Sequence, residues 1–232
     1  MADLENNAVD VRASLYKGIA GAIPFAGPSL SEIISTIIPN QRIDRIASFL
    51  KYLNERLNTL EQDSLKNNKY FIDLFEDGLI QATRALSDQR NKYLAVFLSK
   101  SKNINESNHT SKKKLFHILQ ELTDQDVEIL KDIRDEGHWR TKNKHIAPSI
   151  SIGDYKKLTT EEEYEHDLNS SLWNSHINTL ERFNLIIAER EMLNIEYGIE
   201  NINEHLDDKT GLPKINGYSY SILGKSLLNS II

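Results

Sequence analysis

Ile43, Ile46, Leu50, Leu53, Leu57 and Leu60 follow one another at alternating spacings of three and four residues. That period puts all six on one stripe of an α-helix, and a β-strand cannot present it on a single face. Asp44, Arg45, Lys51, Asn54, Glu55 and Arg56 fill the intervening positions, as a solvated face requires. A sustained coiled coil needs about three or four full heptads, more than this stripe contains. The spacing therefore predicts an amphipathic helix over 43–60 that faces the core of a helical bundle. Tyr70, Phe71, Leu74, Phe75 and Leu79 predict a second helix running to about residue 86. Ser87 or Asp88 is placed to cap a third, with Tyr93, Leu94, Phe97 and Leu98 on its apolar side.

Upstream, residues 15–38 form an apolar stretch that carries Lys17 and Glu32 and is broken by Pro24 and Pro28. A membrane-spanning helix needs about 20 largely uninterrupted apolar residues. The stretch reads instead as two short apolar pieces joined by the turn Pro24-Phe25-Ala26-Gly27-Pro28. Ile19, Ile23, Phe25, Leu30 and Ile34 are its large apolar members. They either seed the core of the helical half or form a hairpin that enters a membrane.

The 232 residues are 39% hydrophobic and 27% charged, enough apolar material for one ordinary domain or two small ones. Cysteine is absent, which excludes disulfides, thiolate metal sites and a cysteine nucleophile. The first ten residues carry Asp3, Glu5 and Asp10 in place of the basic segment of a secretory signal, so a cytoplasmic location is expected, peripheral to the inner membrane if 15–38 inserts. The net charge of −6 is unevenly spread: 16 basic and 13 acidic residues lie up to residue 114, and 12 and 21 lie beyond it.

The run 101–114, rich in Lys, Asn, Ser and His, reads as a polar linker. It separates an N-terminal helical domain over 1–100 from an acidic domain over 115–232. Leu115, Phe116, Ile118, Leu119 and Leu122 predict a short helix, and Thr123 is placed to cap a second one through Asp126. Thr160 with Glu163 reads as another capping box. Leu172, Trp173, His176, Ile177, Leu180 and Phe183 mark an amphipathic helix that stops at Asn184, ahead of a strand at 185–187. Tyr218 to Ile222 alternate with period two, and Gly224 breaks the pattern before Leu227, Leu228 and Ile231.

Two helices, an amphipathic helix, a strand, a polar insertion and a second strand follow the order of a winged helix, with Leu172 to Phe183 in the recognition-helix place. Asn174, His176, Asn178 and Arg182 are its candidate contacts to protein or DNA. Lys112, Lys113 and Lys114 are the candidate phosphate contacts. Against DNA stand Glu189, Glu191, Glu196, Glu200, Glu204, Asp207 and Asp208 in the wing, which repel phosphates. No catalytic residue, metal ligand set or cofactor motif emerges. Leu223-Gly224-Lys225-Ser226 lacks the first glycine of a phosphate-binding loop, because position 219 is Ser. The run Glu161 to His166 reads as a solvated helix start.

Ile-Pro-Asn-Gln-Arg-Ile-Asp-Arg (38–45), after the glycine-proline hairpin, resembles an N-terminal signature of bacterial proteins of this size, and the segment 119–130 with Tyr-Ser-Ile-Leu-Gly-Lys (220–225) resembles the Abi-alpha type of bacterial phage-resistance (abortive-infection) proteins. In the resemblance, Ser221 and Gly224 take the place of a terminal Thr-x-x-Gly wing. The resemblance implies an accessory or sensing subunit in anti-phage defence and brings no catalytic residues. The whole reads as a mainly α protein, an N-terminal helical bundle followed by a winged-helix-like α+β domain. Its expected role is a non-enzymatic defence component that binds other protein subunits, such as an ATPase or nuclease, or a second copy of itself. A winged-helix DNA-binding regulator and a membrane-active protein inserting 15–38 are the alternatives.

Overall fold

Helix α1, Asn40–Asn54, is the amphipathic stripe at work: Ile43, Ile46, Leu50 and Leu53 are buried, joined by Phe49. The structure, a computed structural model, describes residues 40–136, 155–190, 206–207 and 212–232. The expected hairpin over 15–38, with Ile19, Ile23, Phe25, Leu30 and Ile34, lies outside the described residues. Eight helices and one two-stranded antiparallel sheet make up the described part, a mainly helical protein. It divides into two compact units, Met1–Glu121 with Asn229–Ile232, and Leu122–Leu228.

In the first unit the stripe does not stay on one helix to Leu60. The chain turns after Asn54, and Leu57 is buried in the turn. Helix α2, Thr59–Leu65, then begins on a new axis. Asn58 caps it: its side chain accepts from Glu61 N at 3.0 Å, and the Glu61 carboxylate accepts from Asn58 N at 3.0 Å. A reciprocal cap of this kind fixes a helix start more strongly than a heptad echo can extend a previous one. Leu60 is consequently 82% exposed.

Helix α3, Lys69–Arg84, starts under Asn68, whose side-chain Oδ1 accepts from the amides of Tyr70 and Phe71. It ends two residues short of the expected 86, where Ala85 turns extended, and Leu86 points to water. Ser87 rather than Asp88 caps α4, Asp88–Lys100, by accepting from Arg90 N. α1 packs on α3 and α4, and these two pack on each other. Phe49 stacks on Phe75 at 6.3 Å, and Phe97 meets Phe116 at 4.7 Å.

Residues 101–114 are not a linker. Helix α5, Glu106–Glu121, begins inside them, and Ser101 and Ile104 are buried in the turn before it. Asn105 and Asn108 make the start: Asn105 Oδ1 accepts from Ser107 N, and Asn108 Oδ1 accepts from Asn105 N. The Ile104 carbonyl accepts from Asn68 Nδ2 at 2.9 Å, which ties this turn to the cap of α3. The polar composition misleads because the one α5 that starts here carries both an exposed polar side, from which His109 and Lys113 pair with α3, and the buried Phe116, Ile118 and Leu119 further on. The division between units accordingly falls at Glu121, later than the composition change suggests.

The second unit holds α6, Asp124–Glu136, α7, Thr160–Arg182, the strands β1, Ile186–Arg190, and β2, Ile215–Tyr220, and most of α8, Ile222–Ile231. Thr123 caps α6 through Asp126 as the sequence indicates. α7 is a single helix capped by Thr159 and Glu162, one residue earlier than Thr160 and Glu163. Both Thr–Glu pairs have the spacing of a capping box, so the sequence does not choose between them. α7 ends on Asn184 in the left-handed conformation, φ 53°. Leu185 N donates to Leu180 O at 2.9 Å and Asn184 N to Glu181 O at 2.8 Å, the paired closure that an asparagine tolerates at this position.

β1 pairs with β2 from Ile186↔Tyr220 to Arg190↔Ile215, with an irregularity after Glu189. α6 packs on α7 and on β2, and α7 packs on β1. Val127, Ile129, Leu130, Ile133, Ile177, Leu180, Leu185, Leu227 and Leu228 form the core. The alternation over 218–222 ends at Tyr220, and Ser221 starts α8 by accepting from Gly224 N on its hydroxyl at 3.0 Å. Ser221 and Gly224 are therefore the first turn of a helix and not a wing, and Gly224 lies inside that helix instead of breaking a pattern.

Candidate interaction surface

Helix α7 has 23 residues, of which only Ile177 and Leu180 are fully buried. Its sequence alternates too loosely to hide more. Tyr164, Leu168 and Leu172, four residues apart and thus on one side of the helix, are 69%, 42% and 52% exposed. Leu172, which the amphipathic pattern places inside, faces out. The pattern centred on Ile177 and Leu180 holds only for the last turns. Glu161 and Glu165 flank the apolar side, and both are exposed.

Of the candidate contact residues, Asn174, Asn178 and Arg182 share the outward side of the later turns. With Ser171, Ser175 and Thr179 they line a shallow open groove. The Arg182 guanidinium lies 4.7 Å from the Phe183 ring centre. His176 does not join them. Its Nδ1 is 2.7 Å from Oδ1 of Asp126, whose side chain is only 3% exposed. The other Asp126 oxygen accepts from Thr123 N at 2.6 Å and Thr123 Oγ1 at 2.7 Å. One buried carboxylate thus closes the cap of α6 and holds α7 by its histidine.

The three candidate phosphate contacts are likewise scattered by the structure. Lys112 Nζ lies 5.8 Å from the centre of the Phe97 ring. Lys113 Nζ is 2.7 Å from Asp73 Oδ1 and 3.3 Å from Asp77 Oδ2. Lys114 is exposed beside a groove that also takes in Asp77, Gln81, His109 and His117. A lysine held by two carboxylates offers little to a phosphate, so the run is not one cationic patch. Asp73, Asp77, His109 and Tyr70 are the residues that sequence reasoning missed here. His109 Nε2 sits 2.7 Å from Asp73 Oδ2, and its ring lies 5.1 Å from that of Tyr70. The available signal was two matching four-residue spacings, Asp73–Asp77 on α3 and His109–Lys113 on α5.

Burial alone would push the Asp73 carboxyl up, but the hydrogen bonds from Lys113 and His109 outweigh it and hold it below the ordinary aspartate range. Burial alone would lower Lys113, and its contacts with Asp73 and Asp77 outweigh that and raise it. A depressed carboxyl stabilises the fold above its unfolded pKa of about 3.9, and that contribution is lost as the pH falls through the folded value. The raised lysine contributes fully below about pH 10 and is silent at neutral pH changes. Asp73 is 42% exposed, so solvent screening limits the network to about 1 kcal/mol. Asp73→Asn is expected to lower the urea midpoint at pH 7 by a correspondingly small amount. The difference should shrink as the pH falls below the ordinary aspartate range and through the lowered folded value, where the carboxylate is protonated. A difference that persists unchanged in acid would mean that the carboxylate charge is not what stabilises the α3–α5 contact.

Among the described residues, no group of three or more His, Asp or Glu could hold a metal ion. Among the same residues, no helix is long and apolar enough to cross a membrane. The fold and surface define a mainly helical protein with a small two-stranded antiparallel sheet and a long, half-bare helix. No family model, curated protein or solved structure matches the chain.

Proposed function

We propose that this chain is a non-enzymatic interaction subunit that docks on other proteins through the outward side of α7, in the setting of bacterial anti-phage defence. The observation that carries the docking is the exposed apolar line Tyr164, Leu168 and Leu172. Large apolar side chains in one contiguous exposed line mark a contact surface more often than scattered ones do. The order α6, α7, β1, β2 supports a winged-helix-like reading of the second unit, with α7 in the recognition-helix place. The defence setting rests on the resemblance of segments 119–130 and 220–225 to Abi-alpha proteins.

The test is affinity capture of the tagged chain from its native host, followed by size-exclusion chromatography with light scattering. A second protein should co-elute at fixed stoichiometry and be lost on Leu168→Lys with Leu172→Lys, two exposed positions whose change leaves the core intact. Elution of the chain alone would sink the docking reading. The defence setting is checked by phage plating on a host with and without the chain, where equal plating would remove it. A DNA-binding role finds support in the open groove along Asn174, Asn178 and Arg182. It would take over if a duplex were retarded in a way that weakens steeply with salt and depends on those three residues.

A further inference from the structure

We propose that the partner element seated on the first turns of α7 is a basic amphipathic helix of another protein, an inference that rests on the docking reading above and gives its partner a chemistry. The shape of the surface comes first. Tyr164, Leu168 and Leu172 cover about 12 Å of helix axis, two turns and a little more, which matches the stretch that three anchors of a facing helix occupy. α7 satisfies its own backbone hydrogen bonds along this length, so no free strand edge is offered and an extended peptide gains nothing from its main chain. Side-chain ridges packing into grooves are what one bare helix face can provide, and another helix supplies the matching ridges.

The charge around the line decides the sign of the partner. From residue 158 to residue 181 the chain contains no Lys or Arg, while Glu161, Glu162, Glu163, Glu165 and Asp167 crowd the first two turns. Glu162 is committed to the cap, with its carboxylate accepting from Thr159 N at 2.8 Å. Asp167 accepts from the Tyr155 hydroxyl at 3.0 Å. Glu161 and Glu165 are exposed and, by helical spacing, stand beside Tyr164 and Leu168. An apolar line edged by carboxylates repels anionic lipid and nucleic acid. It attracts an apolar line edged by Lys or Arg, and rim charges of this kind chiefly set specificity and on-rate.

The probe is a fluorescein-labelled synthetic amphipathic helix of leucine and lysine, with its leucine and glutamate counterpart as the control, read by fluorescence anisotropy on the full chain. The lysine peptide should bind and the glutamate peptide should not. Glu161→Lys with Glu165→Lys should weaken the lysine peptide about tenfold, with raised salt weakening it in the wild type as well. Glu55→Lys with Glu121→Lys changes the net charge equally at exposed sites in the first unit and should leave binding unchanged. Equal binding of both peptides, equal loss in both charge variants, or no binding at all overturns the proposal. Failure here is separable from failure of docking itself. A host protein captured through Leu168 and Leu172 but contacting them by a non-basic segment would leave docking standing and remove this inference alone.

Discussion

Gly224→Ala is expected to destabilise the second unit by about 3 kcal/mol and to lower its melting temperature by about 10 °C. A Cβ at this position would stand 2.2 Å from the carbonyl oxygen of Leu185 and 3.1 Å from its carbon. That carbonyl cannot retreat. It accepts from Ser221 N at 2.9 Å, and Leu185 is fully buried at the foot of β1. The Ser221 hydroxyl meanwhile donates to Asn184 O and accepts from Gly224 N, so the start of α8 is bound to the end of α7 through Ser221, one helical turn before the glycine. Within a helix, alanine would ordinarily gain about 1 kcal/mol over glycine. The contact with a fixed backbone oxygen outweighs that gain. Gly78→Ala is the internal control. Its Cβ would meet the Leu98 Cδ1 atom at 3.0 Å, the mobile end of a side chain, and a change within about 1 kcal/mol is expected there. Calorimetry on both variants decides the matter: a Gly224→Ala chain as stable as the wild type would mean that α8 does not press on Leu185.

This close approach also shows where sequence reasoning reaches its limit. Periodicity reveals α1, α3, α4, α6 and the later turns of α7, because each buries a stripe whose spacing is written locally. Caps at Ser87 and Thr123 are visible for the same reason, since a cap is satisfied within three residues. What a residue meets from a distant part of the chain is not written locally. Gly224 reads as a breaker until Leu185 is brought against it. The polar face of α5 reads as a linker until Asp73 and Asp77 arrive from α3. Leu60 and Leu172 continue apolar patterns whose helices, for reasons of capping and packing, turn those positions to water. For the candidate surface, Asn174, Asn178 and Arg182 line one groove along α7, as their four-residue spacing allows. His176 is drawn inward by a carboxylate 50 residues away in sequence. The spacing that gives Tyr164, Leu168 and Leu172 a common side is legible, but their exposure is a fact of packing.

Asp126→Ala is expected to cost about 3 kcal/mol, the second large effect. Loss of the reciprocal cap accounts for about 1 kcal/mol. Loss of hydrogen bonds to a buried carboxylate, with their donors left unpaired, accounts for about 2 kcal/mol more. Asp126→Asn keeps the volume but presents an amide to the Thr123 amide or to His176, so it should recover only part of the loss. The pair energy between Asp126 and His176 is read from a double-mutant cycle with His176→Ala on urea unfolding of the full chain. A coupling of about 1 kcal/mol or more is expected, and additivity of the two single changes would mean that the 2.7 Å contact does not hold the helices together. The consequence for docking follows from geometry. With His176 turned to Asp126 and Ile177 and Leu180 in the core, helical spacing puts Glu161, Tyr164, Glu165, Leu168 and Leu172 outward together. Releasing His176 removes a polar restraint on that rotation. Asp126→Ala should therefore weaken capture of the docking partner even at temperatures where the chain remains folded, whereas Asp73→Asn, in the other unit, should not.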